Sequence, residues 1–274
     1  MCTDVVLKQI HDNTSRFGCR GRQRSACRSD WSGKRYMAAR RTGIKPNMDV
    51  SEPIRKALAD MNSFVEAFNW DAVSDRRVHI LKVFLRLAAA QGYSAVTMRS
   101  LALELNLKAP SIYSHFPGGK EEIISYSLRW QARVFGLEVL NGTISAGDPD
   151  TFFDLLVRLH CRTNLLNREN YLWDMIVASD RIGKFLPIEL RNEMHSWLEI
   201  CIQVYVAAGE ALGLHDCRLS ARQAFASIDA VHSWADWDGS ESSLERILDE
   251  ATVLCRTIMV PTGSKRPSAP RRVK

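Results

Sequence analysis

The sequence predicts an all-α protein in two parts, and three observations carry that expectation. From Arg76 to residue 260 apolar residues recur at spacings of three and four, and no convincing stretch alternates as a strand would. Gly, Pro and Asn fall between these periodic runs at helix-length intervals. Charge is divided along the chain: residues 76–124 hold 7 basic and 3 acidic side chains, whereas residues 125–260 hold 12 basic and 19 acidic ones. A compact basic segment joined to an acidic one suits a protein of which only one part meets an anionic polymer.

Residues 1–50 carry 11 Lys/Arg and 4 Asp/Glu without apolar periodicity and are expected to be a disordered basic extension. Residues 261–274 carry five basic residues and no acid, and read as a disordered basic tail. Residues 51–73 are expected to hold an extra amphipathic helix. Ser51, Glu52 and Pro53 form a helix-start signature, and Ile54, Leu58, Met61, Val65 and Phe68 make one apolar face.

Helices are then expected near 76–91, 97–105, 109–116, 120–140, 150–166, 170–180, 187–212, 218–235 and 241–259. In the first, Ile80, Leu81, Phe84, Leu87 and Ala88 share a face, and Gly92 suits the left-handed end. Thr97 can cap the second, whose Leu101, Ala102 and Leu105 point inward. Asn106 then tolerates a left-handed turn, and Pro110 sits in the first turn of the third, where it does no harm. With Ile112 and Phe116 facing the core, Lys108, Ala109, Ser111, Tyr113, Ser114 and His115 are left outward. None of these is acidic. Two short helices joined by a tight turn behind a supporting helix make a helix-turn-helix, and such a face suits a major groove.

At this point the sequence resembles the TetR family of regulators, from about Arg76 to Tyr126. The likeness rests on Gly92-Tyr93, Val96-Thr97-Met98, Leu101-Ala102, the run from Ser111 to Phe116, and Lys120-Glu121-Glu122-Ile123. It implies that Thr97, Tyr113, His115 and Lys120 hold phosphates, with Arg99 a further candidate for the backbone. It also implies that Lys108, Ala109, Ser111 and Ser114 face bases. There are two departures. Phe84 stands where the family has a small residue and Ala88 where it has an aromatic one, an exchange that roughly conserves volume on one helix face. Pro117-Gly118-Gly119 is one residue longer than the family's spacing and removes a capping side chain, which leaves the placement of Lys120 open.

The division expected is therefore a helix-turn-helix DNA-binding domain at 74–134 and a helical regulatory and dimerisation domain at 135–260. Trp, Phe and Tyr side chains are frequent in the second, as in a helical core or a ligand cavity, and Met175, Ile176, Trp197, Tyr205 and His232 are the candidate lining. Leu186-Pro187, the run Gly213 to Asp216 and the run Ala230 to Trp234 resemble family members that sense acyl-CoA or fatty-acid-like ligands, although His232 stands where their asparagine recurs. The resemblance further implies a homodimer through the last two helices, by Leu219, Ala224, Phe225, Ile228 and Val231 with Leu244, Ile247, Leu248, Ala251, Leu254, Cys255 and Ile258. Closure of the chain's own core is the alternative for these residues. The helix at 120–140 would bridge the two parts and transmit ligand binding.

The partners expected are palindromic double-stranded DNA, an apolar small-molecule effector and a second copy of the chain, in the cytoplasm, with no membrane and no cofactor. Repression is the expected mode. The sequence has no GxSxG, no Gly-rich phosphate loop and no HExxH, and its seven cysteines show no zinc spacing, so no catalytic or metal residue is assigned. His160, His195 and His232 read as packed or solvated, and Cys201 and Cys255 as small buried hydrophobes. An enzyme, or a helical small-molecule carrier without a DNA role, is the competing reading.

Overall fold

The computed structural model describes residues 51–70 and 73–259; the expected basic extension and tail lie outside them. Among the described residues every regular element is a helix. In order they are α1 (Glu52–Glu66), α2 (Asp75–Gln91), a short 3-10 turn (Tyr93–Ala95), α3 (Met98–Glu104), α4 (Ala109–Tyr113), α5 (Gly119–Gly142), α6 (Pro149–Leu166), α7 (Arg168–Gly183), α8 (Ile188–Ala211), α9 (Arg218–Asp229), α10 (Val231–Trp234) and α11 (Glu241–Met259).

α1 is amphipathic as expected and buries Ile54, Ala57, Leu58, Met61 and Val65. It lies against α8 and α5. Ser51 occupies the cap position, but its hydroxyl makes no capping bond and is buried without a partner. The helix ends before Phe68, which instead lies under the guanidinium of Arg129 at 4.5 Å. Gly136 on α5 is what lets α1 approach. A Cβ there would stand 2.6 Å from Val65 Cγ1 and 2.9 Å from Trp197 Cη2.

α2 packs on α5, α3 packs on α2, and α4 packs on α3. Phe84 is fully buried and Ala88 nearly so, so the exchanged pair fits; Phe84 meets the Tyr93 ring edge-on at 6.3 Å between centroids. Ser127 turns its hydroxyl to the carbonyl of Ile123 at 2.7 Å and of Leu81 at 3.3 Å, joining α5 to α2. Further along, Phe135 and Leu137 of α5 belong to the core of the second half. α5 thus contacts helices on both sides of it.

The second half is built from α5 to α11. Leu186 N donates to the carboxylate of Asp180, and Arg191 donates to the same group, so the turn from α7 to α8 closes on one aspartate. One structural difference concerns the helix expected at 218–235, which is divided into α9 and α10 by Ala230 (φ −86°, ψ 14°). The cause is remote in sequence. Asn164 of α6 donates to the carbonyl of Ile228 at 3.3 Å and accepts His232 Nε2 at its own carbonyl at 2.8 Å, gripping the chain on both sides of the break.

Most of the apolar residues expected to face a second copy instead close this chain's core: Ala224, Phe225, Ile228, Val231, Leu244, Ile247, Leu248, Ala251 and Cys255 are all buried. α11 is tied to α6 by Arg158 with Glu245 and Asp249, and by Arg256 with Asp150 and Asp154. What α9 and α11 leave outside is Leu219, Val253 and Leu254, 68%, 66% and 36% exposed.

Candidate functional site

The first candidate surface is assembled by local chemistry. Thr97 caps α3, accepting the Ser100 N–H at 3.0 Å, while Ser100 Oγ accepts the Thr97 N–H at 2.9 Å. This reciprocal pair satisfies two otherwise unpaired donors. Leu101 and Ala102 are buried and Leu105 is half-buried. Asn106 takes a left-handed φ of 52°, as its position requires, and Leu107 N donates back to Ala102 O at 2.8 Å. The turn between α3 and α4 is thereby fixed by backbone bonds.

α4 is one turn shorter than expected, because after Tyr113 the chain tightens. His115 N and Phe116 N both donate to Ile112 O, at 3.0 and 2.9 Å. Ile112 and Phe116 are fully buried. Arg77 of α2 lies 4.5 Å from the Phe116 ring and 4.8 Å from that of Tyr126, and its guanidinium reaches Glu122 at 3.4 Å. Ile112 and Phe116 therefore anchor α4 from inside, and its other side faces solvent. Lys108, Ser111, Tyr113 and Ser114 are exposed, Tyr113 by 47%. Ala109 and His115 are half-buried beside them. Thr97 and Arg99 are exposed at the start of α3.

Lys120 differs from its neighbours. Its Nζ donates to the Tyr93 carbonyl at 3.1 Å and lies 4.3 Å from the Tyr93 ring centroid. It is half-buried and already partnered within the chain. The inserted glycine is accommodated nearby. Gly119 takes a φ of 67°, and a Cβ on it would meet Tyr113 Cε1 at 3.4 Å. The missing cap is replaced by Glu122, whose carboxylate accepts the Gly118 N–H at 2.8 Å. A carboxylate at a helix N-terminus is also favoured by the helix dipole.

The second candidate site is a narrow cavity of about 20 Å³, space for roughly one water, between α5, α6, α7, α8 and α9. Phe135, Trp173, Trp197 and Phe225 wall it, with Gln131, Asn170, Asp174 and Asp229 as the polar lining. Of the five residues expected to line a pocket, Trp197 lines this cavity. Met175 and Ile176 lie one and two positions past Asp174, so α7 turns them off the cavity. Tyr205 is buried behind His160, and His232 is held at Asn164. Sequence reading passed over Gln131, Asn170, Asp174 and Asp229, whose convergence depends on five helices distant in sequence.

At the cavity wall the Tyr205 hydroxyl donates to His160 Nδ1 at 3.0 Å, and His160 Nε2–H donates to Asp229 Oδ1 at 3.0 Å. His160 is packed, as expected. Burial, then the charge of Asp229, hold the Asp174 carboxyl well above the usual carboxylate range. Burial pushes the Cys201 thiol up as well, and Cys161 and Cys255 to about 12, so these cysteines behave as buried hydrophobes. Among the described residues no group of three or more His, Cys, Asp or Glu is placed to hold a metal ion, and no helix is long and apolar enough to cross a membrane.

Comparisons with known proteins bear on the helix-turn-helix and on the fold. Residues 80–126 match the model of bacterial regulatory proteins of the tetR family. No curated protein sequence matches the chain. The fold is similar to that of PfmR, a TetR family transcriptional regulator from Thermus thermophilus: 20% identity, TM-score 0.53, 65% of this chain and 97% of that one. It is similar also to a transcriptional regulator of Saccharomonospora viridis in complex with choline (21% identity, TM-score 0.53, 67% and 96% covered). A third solved structure is AibR bound to isovaleryl coenzyme A and operator DNA, with 18% identity, TM-score 0.52, and 66% and 97% covered.

Proposed function

From the match of residues 80–126 to the tetR family of bacterial regulatory proteins, we propose that the chain is a cytoplasmic, sequence-specific DNA-binding regulator, a repressor released by a small molecule. One observation carries the reading. A short helix is pinned by fully buried Ile112 and Phe116, and the opposite side bears Lys108, Ser111, Tyr113 and Ser114 in solvent with no acid among them. Hydroxyls and a lysine at such positions suit phosphate oxygens and base edges, and the small Ala109 leaves room for a thymine methyl.

Thr97, Arg99, Tyr113 and His115 are the proposed phosphate contacts, with Lys108, Ala109, Ser111 and Ser114 toward the bases. Lys120 is proposed as a phosphate contact only after it leaves the Tyr93 carbonyl. A single α4 spans few base pairs, so we take the active form to be a homodimer on a palindromic site, joined through the outer faces of α9 and α11 that carry Leu219, Val253 and Leu254. AibR, which holds both a ligand and operator DNA, supports a small-molecule effector for this chain.

Selection of genomic fragments on the purified protein, followed by sequencing, tests this. A shared palindromic motif among the retained fragments, lost as salt rises, is the expected result. Retention with no common motif would contradict sequence-specific regulation.

A further inference from the structure

The cavity has a chemical sign. Its nitrogen donors are largely engaged in the protein itself. Trp173 Nε1 donates to Leu128 O at 3.1 Å, Gln131 Nε2 to Asn170 Oδ1 at 3.3 Å, and Asn170 Nδ2 to Asn164 Oδ1. His160 is occupied at both ring nitrogens. Among the described residues no lysine or arginine lines the space. Beside the Trp197 indole N–H and one further N–H on each of Gln131 and Asn170, the lining is acceptor and aromatic: two aspartates from different helices, Asp174 of α7 and Asp229 of α9, with Phe135, Trp173, Trp197 and Phe225. Asp174 Oδ2 is shut off from solvent and has no hydrogen-bond partner.

A carboxylate or phosphate entering here would meet two acids and no cation. An ammonium group would meet the reverse: it carries three donors and a charge, and aromatic faces attract it further. We infer that the regulatory cavity recognises a small organic cation, an alkylamine whose ammonium head takes the water-sized space at Asp174 and Asp229, which Trp173 and Trp197 also line. This departs from the acyl-chain ligand that the sequence suggests. It rests on the proposed ligand-responsive function and names the ligand class for that site.

The binding step balances in protons. Burial, then the charge of Asp229, favour the protonated Asp174 carboxyl; where it carries that proton, it gives it to solvent as the ammonium takes its place, and an ion pair forms within the cavity. The titratable groups around it are Asp229 on α9, His160 on α6 with Tyr205 behind it, and Cys201 on α8; α5 contributes only the neutral Gln131. Affinity therefore rises with pH as long as the amine stays charged.

The test uses the full chain and three soluble probes of one length: n-butylamine, n-butanol and butyrate. Binding is read from the emission of Trp173 and Trp197 and by calorimetry in buffers of different ionisation enthalpy. Butylamine is expected to give a saturable response with proton release, and to bind about tenfold or more tighter than either other probe. Asp174→Asn, close to isosteric and free of the buried acid, is expected to lose that preference. Preferred binding of butyrate, equal binding of amine by D174N, or no saturable response to any probe would overturn the inference. DNA retention is scored on the same preparation. Retention without amine binding removes this inference alone, and amine binding without DNA retention removes the regulator reading alone.

Discussion

Tyr113 is half in solvent, so its side chain can be removed without opening the core. Replacement by Ala removes a ring and hydroxyl from the outward side of α4 while Ile112 and Phe116 keep the helix in place. We expect Tyr113→Ala to weaken retention of a selected DNA fragment about tenfold or more, a loss of ~1.4 kcal/mol, with folding stability within about 0.5 kcal/mol of the parent. Equal DNA affinity would remove the tyrosine from the interface. Gly119 makes the opposite case. At φ 67° a side chain is strained whatever the space, so Gly119→Ala should cost about 1 kcal/mol of stability, measured by denaturant unfolding. Asp174 gives a pH signature. A carboxyl raised in the native state keeps its proton where the unfolded chain has lost it, so the native state binds more protons and stability falls as pH rises. The decline begins at the ordinary aspartate pKa, about 4, and ends where the native group ionises. Asp174→Asn should flatten that segment of the stability curve; an unchanged curve would deny the shift.

Among elements, α1 stands apart because it reaches the cavity wall from outside the helix-turn-helix. The Phe64 ring lies 4.9 Å from that of Trp197, which also lines the cavity. Gly136→Ala places a methyl within 3 Å of both Val65 and Trp197, and should cost about 1–3 kcal/mol. Limited proteolysis should then cut near α1 faster than in the parent. An unaffected digestion pattern would mean that α1 does not depend on this contact. Elements of this kind mark what sequence could and could not foresee. The turn at Asn106, the cap at Thr97 and the left-handed Gly92 are set by neighbours within four residues, and each was legible. Helix phase over long distances was not. Asp174 and Met175 differ by one position, and only the packing of α7 on α5 decides which of them sees the cavity. The break at Ala230 depends on Asn164, and the role of Glu122 as a substitute cap depends on an inserted glycine. Apolar periodicity in α9 and α11 was read correctly as a face, yet periodicity carries no mark of whether that face meets its own chain or another.

For the whole molecule, the two sites are joined by shared elements. α5 carries Ile123 and Leu128 into the helix-turn-helix side and Gln131 and Phe135 into the cavity side. Eight residues of helix separate Ile123 from Gln131, about 12 Å. A second link runs from α7, which bears Trp173 and Asp174, to Phe185 stacked on Tyr93 at 5.1 Å, with Lys120 on the other contacts of Tyr93. An occupant of the cavity can change DNA affinity only by binding one arrangement of these elements more tightly than another. Two contiguous routes are available for such coupling. On α9 and α11 the outer apolar residues that a second copy could meet are Leu219, Val253 and Leu254. Substituting Val253 with Glu should yield a monomeric mass by light scattering with the helical content retained. A mass unchanged from the parent would place any dimer contact elsewhere.

The claim on which the rest depends is that the outward side of α4 enters a groove of duplex DNA. Hydrogen exchange with and without a selected fragment tests it directly. The account predicts slowed exchange at the amides of residues 97–100 and 108–115, with the core of α8 unchanged. Tight DNA binding that leaves those amides exchanging as before, and protects a different surface, would contradict it.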